Sequence, residues 1–300
     1  MSKISVIMAT YNGEMYIREQ LDSILNQTLL PDEIIIQDDG STDNTVNIIK
    51  EYSAKNNIIK LNINKKNLGY IENFYSLLKQ ASGDYIFLSD QDDICLKTKY
   101  EEMVKVMESN DSIQILSCNP KIIDQNNSEI NNIYVKKHKN DKTVEQVDWI
   151  KFVKLQTYNY LGMLFCIRKE FADNFVPMGY IHDISLAAEA SINGGFYIYN
   201  SILQLYRQSL NNTIGISYGI KSRTKAIDSF IEKYEYYKRR YSSNKDVVDI
   251  SQKMIELGVK RKKNYEDYNL IGCIKTKLLY NGWYGRRAFL GDLLSIIKKK

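Results

Sequence analysis

Apolar and polar positions follow two alternating patterns over the first 120 residues. Ile4 to Met8 is a short, largely apolar run, Ile-Ser-Val-Ile-Met, followed by turn-forming residues. Between Glu14 and Gln27 the apolar positions Ile17, Leu21, Ile24 and Leu25 fall at helical spacing. Pro31 interrupts the chain before Glu33-Ile34-Ile35-Ile36, a second buried-strand run. A turn, Asp39-Gly40-Ser41-Thr42-Asp43, precedes a helix expected over Asn44 to Lys55. Ile58 to Ile63 reads as a third strand, and Tyr70 to Ala81 as a helix with Phe74, Leu77 and Leu78 on one face. Tyr85-Ile86-Phe87-Leu88 is a fourth strand that stops at Asp90.

Strands alternating with helices predict an α/β fold, a Rossmann-like, mostly parallel sheet with helices on both faces. Continuous apolar runs, rather than alternating ones, suit strands buried on both sides. Ligands of such sheets collect beyond the carboxyl ends of the strands. Polar clusters occur there four times: Tyr11-Asn12, Asp38-Asp39, Asn67-Leu68-Gly69 and Asp90-Gln91-Asp92-Asp93.

Further along, residues 124 to 142 are polar, rich in Asn and Lys, and read as a loop or irregular ribbon. A helix near Trp149 to Leu155, a strand from Met163 to Ile167 and a helix from His182 to Ile192 follow. Phe196 to Tyr199 and Ile202 to Tyr206 read as two short final strands. Gly215 to Gly219 marks a boundary, so the expected division is residues 1–215 and a helical, basic extension over 216–300.

Composition narrows the class. With 44% hydrophobic and 26% charged residues, the 300-residue chain has enough for a core and is not disordered. Cys95, Cys118, Cys166 and Cys273 form no close pair, which argues against a zinc ribbon or disulfide framework and fits a reducing cytoplasm. Two histidines, His138 and His182, exclude a poly-histidine metal site. The N-terminus lacks a signal-peptide pattern, and no window approaches the ~20 apolar residues of a spanning helix. The net charge of +5 is uneven: residues 221–300 carry 20 Lys and Arg against 9 Asp and Glu. The acidic remainder needs a cation to hold an anionic ligand, and the basic part suits a membrane surface or a polyanion. No nucleic-acid recognition motif accompanies the charge, so nucleic acid is not expected as a partner.

Several residues could do chemistry. Asp90 and Asp92 present hard oxygens two residues apart, suited to Mg²⁺ or Mn²⁺ shared with a diphosphate, although an acidic turn could simply cap a helix. Asp38-Asp39 could accept hydrogen bonds from a base or ribose, or could form a capping turn. His182-Asp183 opens a helix, where the aspartate is either a general base or a favourable partner of the helix dipole. Glycine-rich dinucleotide and P-loop motifs are absent. Gly215-Ile216-Ser217-Tyr218-Gly219 imitates a hydrolase elbow, but no histidine follows His182 to complete a triad.

Taken in order, Ile4 to Gly13, Leu25-Asn26-Gln27-Thr28, Asp38 to Asp43, Asn67-Leu68-Gly69, Gly83-Asp84-Tyr85-Ile86 and Asp90 to Asp93 resemble the family 2 glycosyltransferases. His182-Asp183, Leu205 to Gln208 and Asn211-Asn212 resemble their rhamnosyltransferase-like branch. The resemblance covers roughly residues 3–215 and implies a GT-A fold with inverting sugar transfer from a nucleoside diphosphate. It implies that Ala9, Thr10, Tyr11 and Glu14 surround the nucleotide and that Asp39 pairs with the pyrimidine. It further implies that Asp90, with Gln91 beside it, and Asp92 meet ribose and metal, and that Asp183 is the base. The sequence departs from that pattern at Cys95, where relatives carry Trp, at Ser209-Leu210, where they carry His-Gly, and at Ile184-Ser185, where they carry aromatic residues. The implied setting is bacterial surface polysaccharide synthesis on a glycan or lipid-linked acceptor. Competing readings are a nucleotidyltransferase, which should carry a basic glycine-rich loop near residue 9, and a nucleotide-sugar-binding protein without catalysis. At the C-terminus, Phe289, Leu290, Leu293, Leu294, Ile296 and Ile297 recur at helical spacing among basic clusters. This suits an interfacial helix on the inner membrane face with Trp283 and Tyr284 at headgroup level, or else a helix packed on the catalytic domain with its charges solvated.

Overall fold

The computed structural model describes residues 2–130, 138–155, 160–177, 181–208 and 220–299. The elements in chain order are β1 (Ile4–Thr10), α1 (Ile17–Leu25), β2 (Glu33–Asp38), α2 (Thr45–Ser53), β3 (Ile59–Ile63), α3 (Tyr70–Gln80), β4 (Tyr85–Ser89), β5 (Ile94–Cys95) and α4 (Lys99–Ser109). They continue with β6 (Ile115–Ile123), β7 (Val144–Gln146), α5 (Trp149–Leu155), a 3-10 turn (Gly162–Leu164), β8 (Phe165–Arg168), α6 (Lys169–Asn174), α7 (His182–Ile192) and β9 (Phe196–Arg207). Four helices end the chain: α8 (Ile220–Arg240), α9 (Lys245–Glu266), α10 (Leu270–Leu279) and α11 (Arg286–Lys299).

The chain divides into two compact units. The first, Met1–Val147 with Tyr158–Asn212, holds a nine-stranded sheet ordered β3-β2-β1-β4-β8-β6-β9-β5, with β7 on β9. β3, β2, β1 and β4 are parallel, as the apolar runs predict. Beyond β4 the sheet becomes mixed, because β8 runs antiparallel to both β4 and β6. Val6, Ile7, Met8, Ile34, Ile36, Ile86 and Phe87 are fully buried, which is the two-sided burial expected of central strands.

The sequence reading differs from the structure at several elements, among them β5, β7 and α6, which it did not name. Residues 196–207 form one strand, because the polar pair Asn200-Ser201 is absorbed by a register shift against β6 instead of ending it. Asn200 is satisfied there by Thr143 and Glu145. α4 and β6 were not anticipated; Ser117, Asn119 and Pro120 interrupt the apolar run of β6, although all three are buried.

The second unit comprises Asp148–Thr157 and Thr213–Lys300. Thus α5, which precedes the expected boundary at residue 215, packs with the C-terminal helices: the Trp149 ring lies 5.0 Å from Tyr237 and 6.4 Å from Tyr234 of α8. The Gly215–Gly219 boundary, Ser209-Leu210 and Asn211-Asn212 lie outside the described residues. Of the two residues expected at headgroup level, Tyr284 is buried inside the helical unit instead, whereas Trp283 stays partly exposed. The ammonium groups of Lys154 and Lys253 lie over the Trp283 ring, and Tyr284 is buried against Asp292.

Candidate active site

β1 is flanked by β2 on one side and β4 on the other, so the chain changes direction across the sheet between β1 and β4. A crevice beyond the strand ends at such a point is where open α/β sheets bind ligands. The Gln91 side chain bridges it: Tyr11 N–H donates to Gln91 Oε1 at 2.9 Å, and Gln91 Nε2 donates to Tyr11 O at 3.0 Å. Gly13 makes room for this clip, since a Cβ there would come within 2.3 Å of Gln91 Oε1. Asn12 N–H donates to Ser41 Oγ, and Glu14 Oε2 accepts from Asn44 N–H at the start of α2. The segment Tyr11–Glu14 is thereby held to both neighbouring strand ends, with the Tyr11 ring left 48% exposed.

Asp38 is fully buried and accepts from Thr10 Oγ1, Ser41 N–H and Ser41 Oγ. Thr10 therefore spends its proton inside the fold. Asp39 accepts from Leu68 N–H at 2.7 Å, Gly69 N–H at 2.8 Å and Asn64 Nδ2 at 2.8 Å. Burial works to raise its pKa, but these bonds together hold it below the ordinary carboxylate value. Asp39 is ionised and ties the loop before α3 to the end of β2.

The acidic loop after β4 leads into β5 and does not cap a helix, so the capping alternative fails for Asp90, Asp92 and Asp93. Asp90 and Asp92 are half-buried, and Asp93 is buried. Burial, then the charges of Asp92 and Asp183, push Asp90 up to about 7. Asp92 is raised, first by burial, and Asp93 well above its ordinary value by burial and by the charges of Asp90 and Asp92. Asp93 Oδ1 accepts from Arg207 N–H, while its Oδ2 is buried without a partner. Among the described residues no three His, Cys, Asp or Glu side chains converge as a metal cage.

Three cationic or amide groups behind the loop escaped the sequence reading. Arg207, 1% exposed, donates from Nε to Asp92 O at 2.7 Å and from its terminal nitrogens to Glu19 and Asn127. Lys99, also 1% exposed, donates to Met163 O and Gln204 Oε1. Gln20 donates to Ser89 Oγ and Asp90 O. Arg207 lies within the quoted Leu205–Gln208 run, which was a usable signal; nothing marked Lys99 or Gln20. Cys95, at one departure from the family pattern, is a buried thiol 3.8 Å from Tyr100 Oη.

α7 delivers Asp183 to the same rim, close enough that its charge contributes to the rise of Asp90. Burial pushes Asp183 up to about 7, against hydrogen bonds from the Ile184 and Gly162 backbone. His182 stacks on Phe74 with ring centres 4.1 Å apart, and burial lowers its pKa to about 3, so it is neutral. Of the residues anticipated from sequence, Tyr11, Gln91, Asp90, Asp92 and Asp183 gather about the crevice, with Ala9 and Thr10 at the end of β1. Glu14 and Asp39 have their carboxylates committed to the adjoining loops. A carboxyl titrating near neutrality beside a clustered acidic loop can exchange a proton with a hydroxyl while the loop faces a cation-bearing anion.

A sequence model of glycosyl transferase family 2 matches residues 5–164. A dTDP-rhamnosyl transferase, RfbG of Shigella flexneri, is 33% identical over 239 residues, covering 73% of this chain and 78% of that protein. An uncharacterized glycosyltransferase of Haemophilus influenzae is 41% identical over 120 residues, 40% of this chain and 37% of its own length. The putative glycosyltransferase EpsE of Bacillus subtilis is 36% identical over 124 residues, 41% of this chain and 45% of that one. The chain thus spans less than half of two of these relatives. In fold it is similar to TarS of S. aureus, whose residues 1–349 were crystallised with UDP-GlcNAc: TM-score 0.66, 19% identity, 98% of this chain and 81% of that one.

Proposed function

Because the chain belongs to glycosyl transferase family 2, we propose that it is an inverting enzyme that transfers a sugar from a nucleoside diphosphate to a hydroxyl of a glycan or lipid-linked acceptor. The observation that carries this reading is the meeting of the Asp90–Asp93 loop and Asp183 at the β1–β4 crevice, with the charge of Asp183 felt by Asp90. Ala9, Thr10, Tyr11, Glu14 and Asp39 border the nucleotide, and Asp90 and Gln91 lie toward its ribose and diphosphate. The Asp183 carboxylate takes the proton of the acceptor hydroxyl as that oxygen attacks the anomeric carbon. The bond from that carbon to the diphosphate breaks, its electron pair leaves with the phosphate, and the configuration inverts. Alignment of the two reactants supplies much of the remaining rate.

Asp90 and Asp92 suit Mg²⁺ or Mn²⁺: they are hard oxygen ligands, they repel one another, and two carboxylates leave other positions for phosphate oxygens and water. Bound there, the ion would neutralise the charge of the leaving diphosphate. The RfbG relative supports a deoxyhexose such as rhamnose as the sugar. The setting proposed is surface polysaccharide synthesis in a bacterium, with the enzyme attached peripherally to the cytoplasmic face of the membrane. Among the described residues no helix is long and apolar enough to cross a membrane.

The test is a panel of labelled nucleotide sugars with a lipid acceptor extract. Label should move to the acceptor with release of nucleoside diphosphate, and chelation should stop it. Asp183→Asn should lose turnover by orders of magnitude and keep donor binding. Wild-type transfer by Asp183→Asn would place the base elsewhere. Undiminished transfer by Asp92→Asn in the presence of chelator would remove the ion from the reading.

A further inference from the structure

We propose that the outer side of α10 and α11 is a docking surface for an anionic lipid bilayer, and that a lysine-lined cleft beside it receives a lipid phosphate. The proposal deepens the reading of a peripherally attached transferase and rests on it for purpose, not for geometry.

α10 turns Cys273 and Thr276 inward, and Tyr280 directly after it is buried as well. On its opposite side Ile271, Ile274 and Leu278 are 68%, 47% and 73% exposed, at positions i, i+3 and i+7. α11 repeats the arrangement. Phe289, Leu293 and Ile296 pack with Tyr265 and Cys273, while Leu290, Leu294 and Ile297 are exposed. The interfacial helix expected from sequence therefore uses only half of its apolar residues outward, and α10 adds a second stripe that sequence did not single out.

The outward stripe of α11 is imposed from inside. Asp292, 1% exposed, accepts from Arg223 and Arg261 and from the Tyr284 hydroxyl. Gly291 lets Arg223 approach, for a Cβ there would meet its guanidinium at 2.8 Å. With Asp292 fixed inward, Leu290 and Leu294, each two positions away, are turned from the core. Exposed apolar stripes on two adjacent helices mark an interaction surface rather than scattered surface residues.

Charge decides the partner. Residues 260–300 hold eleven Lys and Arg against three Asp and Glu, and Asp292 is already consumed inside. Lys260, Lys263 and Lys275, with Asn264, Thr276 and Leu279, line a cleft of about 270 Å³ between α9 and α10. None of these three ammonium groups pairs with a carboxylate among the described residues, although Lys260 lies over the Tyr280 ring. Lys275 and Leu279 sit one step around α10 from the apolar stripe, so the cleft opens beside it. Apolar side chains entering the interface next to several cations suit a bilayer with anionic headgroups and fit poorly with a neutral protein partner.

The experiment uses the full chain and vesicles of phosphatidylcholine, alone or with phosphatidylglycerol. Protein should sediment with the anionic vesicles and much less with the neutral ones. Ile271→Ser with Leu278→Ser should weaken binding roughly tenfold or more at every salt concentration. Lys263→Gln with Lys275→Gln should weaken it about fivefold per lysine at low salt and flatten the salt dependence. Both pairs are exposed positions, and circular dichroism should report unchanged folding. Protein remaining in the supernatant with anionic vesicles at low salt would overturn the proposal, as would binding indifferent to both pairs. Displacement by inorganic phosphate alone would make the cleft a free-anion site and overturn the lipid assignment. Donor hydrolysis without acceptor is followed in parallel. Its absence in the wild type would sink the transferase reading and leave vesicle binding to be judged separately.

Discussion

Burial leaves Asp183 titrating near 7 instead of 3.8. A base works only when ionised, so the direction of the effect is fixed: kcat/KM should fall about tenfold per pH unit below roughly 7 and level off above it. His182, lowered to about 3, stays neutral throughout and adds no limb of its own. A profile flat down to pH 5 would exclude Asp183 as the titrating base. Gly13 permits a sharper structural test. Gly13→Ala forces Gln91 off the Tyr11 backbone, because the new Cβ would come within 2.3 Å of Gln91 Oε1. Donor KM should rise several-fold with a small loss of stability, about 1–2 kcal/mol. Unchanged donor KM would show that the clip does not shape the nucleotide site. At this scale the sequence exposed the carboxylates, since polar residues after apolar runs are conspicuous. It concealed Arg207 and Lys99, because a charged residue reads as exposed until the groups it satisfies are known.

Among the elements, Glu33 does for the amino ends of the parallel strands what the polar clusters do at the other rim. From the first position of β2 it accepts from Ser5 of β1, Lys60 of β3, and the backbone and hydroxyl of Ser82 ahead of β4. Burial would raise its pKa, but the bonds from Lys60, Ser5 and Ser82 outweigh it and bring it to about 2 from 4.5. A folded-state pKa below the unfolded one contributes stability that is present above pH 4.5 and is lost as pH falls toward 2. Glu33→Gln should therefore destabilise by about 2 kcal/mol at pH 7 and by much less near pH 2.5. Urea midpoints at the two pH values measure this, and an equal loss at both would reject the account. β1 to β4 were legible because continuous apolar runs suffice to specify central strands. β5 was not, since a two-residue strand has no period, and β9 looked broken because Asn200 and Ser201 resemble a turn until their buried partners are seen.

For the molecule as a whole, the division into two units was legible only in part. A change of composition near residue 215 marks where the chain turns helical and basic, but spatial membership of α5 leaves no trace in composition. The second unit also has a point of vulnerability. Asp292→Asn leaves Arg261 buried without its counter-charge and should cost about 3 kcal/mol. Its urea midpoint should drop while donor hydrolysis below that midpoint stays normal, and an unchanged midpoint would refute the anchoring role of Asp292. The crossing of α5 has a consequence during synthesis. Trp149 and Phe152 emerge from the ribosome long before Tyr234 and Tyr237, the rings that cover Trp149. At ~5–20 residues per second the intervening ~80 residues take on the order of 4–16 s. Throughout that interval the nascent chain carries an uncovered aromatic ledge, which is the kind of surface holdase chaperones recognise. A gene cut after the sheet would make the exposure permanent, so expression of the amino-terminal unit alone should yield aggregates unless residues 148–157 are made polar or the helical part is supplied alongside.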